Sequence, residues 1–182
     1  MLYGSLFLPM SMQAGDRGAL PWLSWTALQA IPSPTFTVDR GHGEQQRVTS
    51  FRWQITPISY SWSANELVSP VSYLKVNPIR RHAGSAEFFV QPEVAVRDYQ
   101  FAGLSRSSLG IGSRAFLPVV EYGEYLSVSL GAKYIFRRSI NGDNANAFAG
   151  EIGLYTYSGL IGLQLGVEPE GRYSLSIYLK YY

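Results

Sequence analysis

A strict two-residue alternation of apolar and polar side chains in the last third of the chain constrains the fold most. In segment 125–137, Leu126, Val128, Leu130, Ala132, Tyr134 and Phe136 alternate with Ser127, Ser129, Gly131 and Lys133. Segments 147–157, 160–168 and 172–182 alternate in the same way. A period of two over this length indicates β-strands whose two faces meet different surroundings.

Four further segments with this pattern come earlier in the chain: 47–60, 66–78, 86–98 and 108–120, of which 66–78 is the least regular. The total of eight predicts an all-β fold, an eight-stranded antiparallel up-and-down β-barrel over residues 47–182. Residues 1–46 are predicted to form an N-terminal extension. If that extension adds two strands, the barrel has ten.

The N-terminal extension is the least regular part of the sequence. Segment 19–31 fits either a short interfacial helix or a strand, and Pro32 and Pro34 end it. Residues 35–46 read as a polar connector. The first ten residues lack the pattern of a signal peptide, so an exported form would be expected to begin at the numbered chain.

Composition excludes several classes of function. The net charge is +2 with no Lys/Arg run, which gives no basis for nucleic-acid binding. The chain has no cysteine, which excludes disulfides and thiol chemistry. It also has no apolar run of about 20 residues, the length needed for a transmembrane helix.

The charged residues within the eight segments indicate which face meets which surroundings. Away from the segment ends, all of them lie on the polar face, whereas the apolar faces carry none. A charge facing lipid at the bilayer midplane costs about 2–4 kcal/mol for Arg or Lys, so this distribution favours apolar faces that contact lipid. The alternative is a soluble ligand-binding β-barrel or sandwich, in which the same apolar faces would point inward.

A transmembrane barrel of eight strands has a narrow interior that side chains fill, and buried charges there must pair. The predicted polar network of the lumen is Arg52, Glu87, Glu93, Arg97, Arg114, Lys133, Glu151, Tyr155 and Lys180. This set has more cations than anions, which would favour anions if a path existed. A salt-bridged plug is the structural alternative to an ion path. Gly110, Gly112 and Gly162 within strands should let backbones or rings approach closely.

The connections predict which end of the barrel carries the longer loops. With the C-terminus at the periplasmic side, segments 79–85, 121–124 and 158–159 become inner turns. Segments 61–65, 99–107, 138–146 and 169–171 become outer loops, and residue 47 lies at the periplasmic end. Loops 99–107 and 138–146 are therefore candidate docking surfaces for a protein partner.

Aromatic residues cluster near the predicted strand ends, as in the interfacial girdles of membrane barrels. These are Tyr60, Trp62, Tyr122, Tyr125, Tyr134, Tyr157, Tyr173 and Tyr181. The segment from Arg47 to Tyr182 resembles the small bacterial outer-membrane β-barrels. The ending from Tyr173 to Tyr182 is similar to their C-terminal assembly signal, although the apolar register runs through Tyr181. The resemblance implies an outer-membrane location, contact with membrane lipid, and recognition by the barrel-assembly machinery.

Some barrels of this class modify lipid A as deacylases or acyltransferases, which is the alternative function that the resemblance implies. Such chemistry needs a His base beside a nucleophile at the outer leaflet. The two histidines, His42 and His82, fall on the predicted periplasmic side. The loop from Asn141 to Asn146 lacks the carboxylate spacing of a Ca²⁺ site. A non-enzymatic envelope role without cofactor or metal is therefore expected.

Overall fold

The computed structural model describes residues 27, 30–40, 45–62, 71–73, 84–97, 103–120, 126–156, 161–169 and 171–179. These residues form an all-β fold with ten strands. The strands are β1 Ser33–Asp39, β2 Gln46–Arg52, β3 Ile55–Ser61, β4 Val71–Tyr73, β5 Ser85–Ala95, β6 Leu104–Val120, β7 Leu126–Ser139, β8 Ala147–Thr156, β9 Ile161–Val167 and β10 Tyr173–Leu179. Within the described ranges, no helix is long and apolar enough to cross a membrane.

Strands β2 and β3 are two parts of one continuous wall strand. Arg52 pairs with Glu93 and Ile55 pairs with Val90, so both parts follow β5 in the same register. The amide of Trp53 continues this ladder by donating to the carbonyl of Pro92 (2.9 Å). A bulge follows, because Ile58 pairs with Phe88. Pro57 lies within it, and a residue without an N–H group is tolerated best where the ladder is interrupted.

With β2 and β3 counted together, eight antiparallel strands close a barrel. From β5 to β10 each strand pairs with the next along the chain, β10 pairs with β1, β1 with β2, and β2 with β5. The predicted eight-stranded antiparallel barrel is therefore confirmed. Closure leaves each wall strand paired on both sides, which removes the exposed edges of an open sheet.

The identity of one wall strand differs from the prediction. Segment 66–78 was predicted to be a wall strand, but its described residues form only the three-residue β4, an additional strand that pairs with β3. The eighth strand of the ring is instead β1, which lies in the stretch predicted to be an extension and connector. The barrel wall therefore begins at Ser33, and the count of eight holds because β1 replaces 66–78.

The two ends of the barrel differ in their connections. We call the end where β1 begins and β10 ends the terminal end; β3, β6 and β8 also end there, and β5, β7 and β9 begin there. At the opposite end, the loop end, β1, β5, β7 and β9 end, and β2, β6, β8 and β10 begin. The predicted outer loop 61–65 and inner turn 79–85 thus belong to a single connection at the terminal end. Residue 47, predicted at the periplasmic end, lies near the loop end, because β1 crosses the wall first.

The two faces of the wall have opposite chemistry. Large apolar side chains such as Leu130, Phe148 and Leu117 are more than half exposed on the outside. Ten charged side chains and most of the Ser, Thr and Gln side chains point inward and are buried. In β9 the pattern is strict, with Ile161, Leu163, Leu165 and Val167 exposed and the residues between them buried. The apolar faces point outward, as the lipid-facing interpretation predicts.

Candidate functional site: the polar interior

The interior of the barrel contains ten charged residues that are buried, and their charges balance. Five are cations and five are anions among the residues that the structure describes: Arg52, Arg114, Lys133, Arg137 and Arg172 against Asp39, Glu87, Glu93, Glu151 and Glu168. The predicted excess of positive groups is therefore not observed. Strand alternation places eight of them inward, and Glu168 and Arg172 lie in the connection between β9 and β10. A low-dielectric interior requires this balance, because an unpaired buried charge is costly.

Arg114 of β6 is the hub of the interior. Its Nε donates to Glu87 Oε2 (3.4 Å), and its Nη1 donates to Glu151 Oε1 and to the Tyr155 hydroxyl oxygen (both 3.2 Å). These partners stand on β5 and β8. The side chain has no exposure to solvent, so its charge is offset by two carboxylates rather than by water.

Lys133 of β7 links this hub to polar residues of β5 and of the wall strand that β2 and β3 form. Its Nζ lies 3.3 Å from Glu151 Oε2 and donates to Gln91 Oε1 (2.9 Å). The Gln91 amide in turn donates to Gln54 Oε1 (2.9 Å). The chain of contacts crosses the interior from β8 through β7 and β5 to the residues between β2 and β3. It orders these side chains as one network.

A separate ion pair joins Arg52 and Glu93, which are direct cross-strand partners. Arg52 Nε donates to Glu93 Oε2 (2.7 Å), and the Ser50 hydroxyl donates to Glu93 Oε1 (2.6 Å). Arg52 Nη1 also donates to the hydroxyl of Ser176 (3.0 Å), which is hydrogen-bonded to Thr35 (2.9 Å). This pair and its hydrogen bonds therefore connect β10, β1, β2 and β5, the strands whose pairing closes the ring.

Four charged residues form a cluster near the loop end, which we call the loop-end quartet: Asp39, Arg137, Glu168 and Arg172. Arg137 Nη2 donates to Glu168 Oε1 (2.7 Å), Arg172 Nη1 to Glu168 Oε2 (2.9 Å) and Arg172 Nη2 to Asp39 Oδ2 (2.8 Å). Burial alone would raise the pKa of Glu168. The hydrogen bonds and positive charges of Arg137 and Arg172 outweigh burial, so its pKa lies below the ordinary value.

Aromatic rings fill the interior toward the terminal end. The Tyr155 ring packs against Phe116 at a centroid distance of 4.9 Å and against Tyr178 at 5.9 Å. Gly153 and Gly162 make room for it, because a Cβ atom on Gly162 would lie 2.3 Å from Tyr155 Cδ1. The expectation that Gly162 allows a ring to approach is confirmed. The hydroxyl of Tyr155 accepts a hydrogen bond from Gln164 Nε2 (2.8 Å), so the ring stays in the polar network.

The hub and these rings together span the whole width of the barrel. The Arg114 guanidinium lies 4.6 Å from the Phe89 ring centroid and 5.5 Å from that of Tyr178. Strands β6 and β10 are opposite in the ring of eight, with three wall strands between them on either side. Side chains from opposite walls therefore meet at this level, in keeping with the narrow interior of an eight-stranded barrel.

The structure brings together seven of the nine residues predicted for the lumen: Arg52, Glu87, Glu93, Arg114, Lys133, Glu151 and Tyr155. Arg97 is not among them, because it lies beyond the end of β5, is exposed, and donates to the carbonyl of Arg47 (3.2 Å). Lys180 lies outside the described residues. Sequence reasoning missed the loop-end quartet. Arg137 could have been predicted to face inward, since it lies four residues after Lys133 on the same face of the strand.

Catalytic and metal chemistry receive no support from the described part of the chain. His42 and His82 both lie outside the described residues, so the lipid A-modifying alternative remains a prediction. No group of three or more His, Cys, Asp or Glu side chains in that part could hold a metal ion. The Asn141–Asn146 loop is an ordinary turn, in which the Ser139 amide donates to the carbonyl of Asp143 (2.7 Å).

Comparisons of the chain with protein-family models, with curated proteins and with solved structures found no match. The functional interpretation therefore depends on the chemistry of the two faces of the barrel wall.

Proposed function

We propose that this chain is an integral outer-membrane β-barrel with a structural or docking role in the cell envelope and a lumen closed by its polar network. The observation that carries the proposal is the inversion of the usual arrangement. Apolar side chains cover the outside, and ion pairs fill the inside. A barrel in water would bury the apolar set, because each large apolar side chain contributes roughly 1.5–3 kcal/mol when removed from water.

The distribution of exposed charge supports a membrane-embedded wall. Among the described residues, every exposed charged side chain lies at the loop end: Arg40, Arg47, Arg97, Arg106, Arg138 and Asp143. The outer wall between the two ends has none in those residues. A contiguous apolar surface of this extent is unusual for a soluble monomer and typical of a face that meets lipid.

The lengths of strands β5 to β8 and the placement of aromatic residues also fit a bilayer. Strands β5 to β8 have between 10 and 17 residues, and about 9–11 residues are needed for a tilted strand to cross the hydrocarbon core. Tyr60 and Trp62 are exposed at the end of β3, and Tyr173 is exposed at the start of β10, at the opposite end. Rings at both ends of an apolar wall match the two interfacial girdles of membrane barrels.

The closed interior favours a structural or docking role over transport. Side chains from opposite walls meet at Arg114 and Tyr178, and ten balanced charges stabilise the closed state. Docking to a protein partner would use the connections of the loop end, including 140–146. Assembly through the C-terminal strand would require the barrel-assembly machinery, as for other barrels whose last strand closes the ring.

Refolding into phosphatidylcholine vesicles or detergent, followed by gel electrophoresis with and without boiling, tests the proposal. We expect β-rich circular dichroism only when lipid or detergent is present, and a heat-dependent shift in gel mobility. A monodisperse β-protein in plain buffer would overturn the proposal.

A further inference from the structure

The exposed cations of the loop end form an arc over neighbouring strands. In ring order, Arg40 follows β1, Arg47 lies on β2, Arg97 follows β5, Arg106 lies on β6, and Arg138 lies on β7. These five strands are consecutive in the ring. The described residues at the loop end of β8, β9 and β10 contribute no exposed cation. We call this feature the arginine arc.

Strand geometry directs part of the arc to the outside of the barrel. Arg47 lies two residues before Thr49 and four before Phe51, and all three are on the exposed face of β2. Arg138 continues the outward register of Phe136, which is 43% exposed. The guanidinium of Arg40 lies 5.8 Å from the ring centroid of the exposed Tyr173. The cations thus stand directly above the apolar wall.

The described carboxylates form no ion pair with four of the five arginines of this arc. Every described anion except Asp143 is buried inside the barrel. Among the ion pairs between described residues, none involves Arg40, Arg47, Arg97 or Arg138. The interior balances its charge internally, whereas the exposed charges of the described rim residues are five arginines and one aspartate, with the arginines on one side of the barrel.

We infer that the arginine arc binds the phosphate groups of anionic lipids in the leaflet at the loop end. This inference rests on the proposed membrane location. A lipid with a phosphorylated headgroup has an acyl chain for the apolar wall and an anion for the rim above it. Arginine suits this role because its planar guanidinium forms paired hydrogen bonds to phosphate oxygens. Each cation near a membrane surface favours anionic lipid by about 1 kcal/mol, or about fivefold.

The test measures lipid selectivity in vesicles where the barrel is already inserted. The protein is refolded into phosphatidylcholine vesicles, and the association of spin-labelled phosphatidic acid is compared with that of spin-labelled phosphatidylcholine. The parent should prefer phosphatidic acid over phosphatidylcholine. In the combined variant Arg40→Gln, Arg47→Gln, Arg138→Gln, this preference should be at least about fivefold weaker. The matched control replaces the same three residues with Lys, which keeps the charge, and should retain most of the preference.

The outcomes separate this inference from the proposed function. Failure of the parent to insert into phosphatidylcholine vesicles would overturn both. The parent could insert without preferring phosphatidic acid, or the Gln variant could retain the preference in full. Either result would overturn the inference about the arginine arc and leave the proposed membrane location standing. Loss of the preference on adding inorganic phosphate at constant ionic strength would assign the arc to free phosphate instead and overturn the lipid assignment. Heat-dependent gel mobility verifies that each variant is folded.

Discussion

The guanidinium of Arg114 lies 5.5 Å from the ring centroid of Tyr178, although the two residues stand on opposite walls of the barrel. The same side chain pairs with Glu87 and Glu151, so one residue both connects opposite walls and offsets two buried anions. The interior is therefore a polar core with contacts between opposite walls. The stability of the barrel should depend on Arg114 more than on any single outward-facing residue.

Replacement of Arg114 by Met should strongly destabilise the barrel. The change leaves Glu87 and Glu151 with fewer partners in a water-poor interior, and breaking a buried pair in this way costs about 3–5 kcal/mol. The measurement is urea unfolding of the protein in phosphatidylcholine vesicles. Adding Glu87→Gln to Arg114→Met should recover part of the loss, because it removes one uncompensated charge. A single variant as stable as the parent would contradict the role of Arg114.

Replacement of Gly112 by Ala should destabilise the barrel by about 1–3 kcal/mol, the usual cost of overpacking. A Cβ atom there would lie 2.4 Å from the carbonyl oxygen of Ala132 and 2.7 Å from Phe89 Cζ, and the backbone atom cannot move aside easily. Gly150→Ala is the matched control, since nothing lies within 4 Å of a Cβ at that position. Equal urea midpoints for the two variants would be inconsistent with the close approach of β6 and β7.

Replacement of Leu165 by Arg distinguishes lipid from water outside the wall. Leu165 is 41% exposed on β9, and Arg on a lipid-facing midplane position costs about 2–4 kcal/mol. On a surface exposed to water, the same substitution would change the free energy of unfolding by no more than about 0.5 kcal/mol. Ile140→Arg provides the control, because Ile140 is 58% exposed in a connection beyond the strands. Unfolding in vesicles should show a large loss for Leu165→Arg and a small one for Ile140→Arg.

The loop-end quartet should make stability depend on acidic pH. Because the pKa of Glu168 is lower in the folded barrel than its ordinary value of 4.5, its ionised form contributes stability that is fully present above that value. This contribution is lost as pH falls through the lower folded pKa. The slope of unfolding free energy against pH below the ordinary value should therefore decrease in Glu168→Gln. A slope identical to that of the parent would argue against the quartet.

Local sequence pattern predicted the facing of most strands correctly. Leu126 to Phe136 alternate outward with Ser127 to Lys133 inward, as do the residues of β9 and β10 that the structure describes. The same pattern was present in β1, where Thr35 and Thr37 point inward and Phe36 points outward. Pro32 and Pro34 obscured it, because proline argues against a central strand and is tolerated here at the first residues of one.

Long-range pairing could not be predicted in the same way. Arg97 continues the polar side of β5 in sequence, yet the strand ends at Ala95 and its side chain belongs to the outer rim. The loop-end quartet joins residues from β1, β7 and the turn between β9 and β10. Which side chains meet across a lumen depends on strand ends and on the stagger between strands, and neither quantity is a property of one segment.

The sequence by itself determined the all-β class and the separation of an apolar from a polar face. These properties follow from the two-residue period of an extended backbone, which each segment expresses locally. Only the tertiary structure decided that β1 rather than 66–78 closes the ring, and that Arg114 meets Glu87, Glu151 and Tyr178. Closure and cross-lumen contacts depend on the register of all eight strands together, because a barrel must satisfy strand number, tilt and stagger at once.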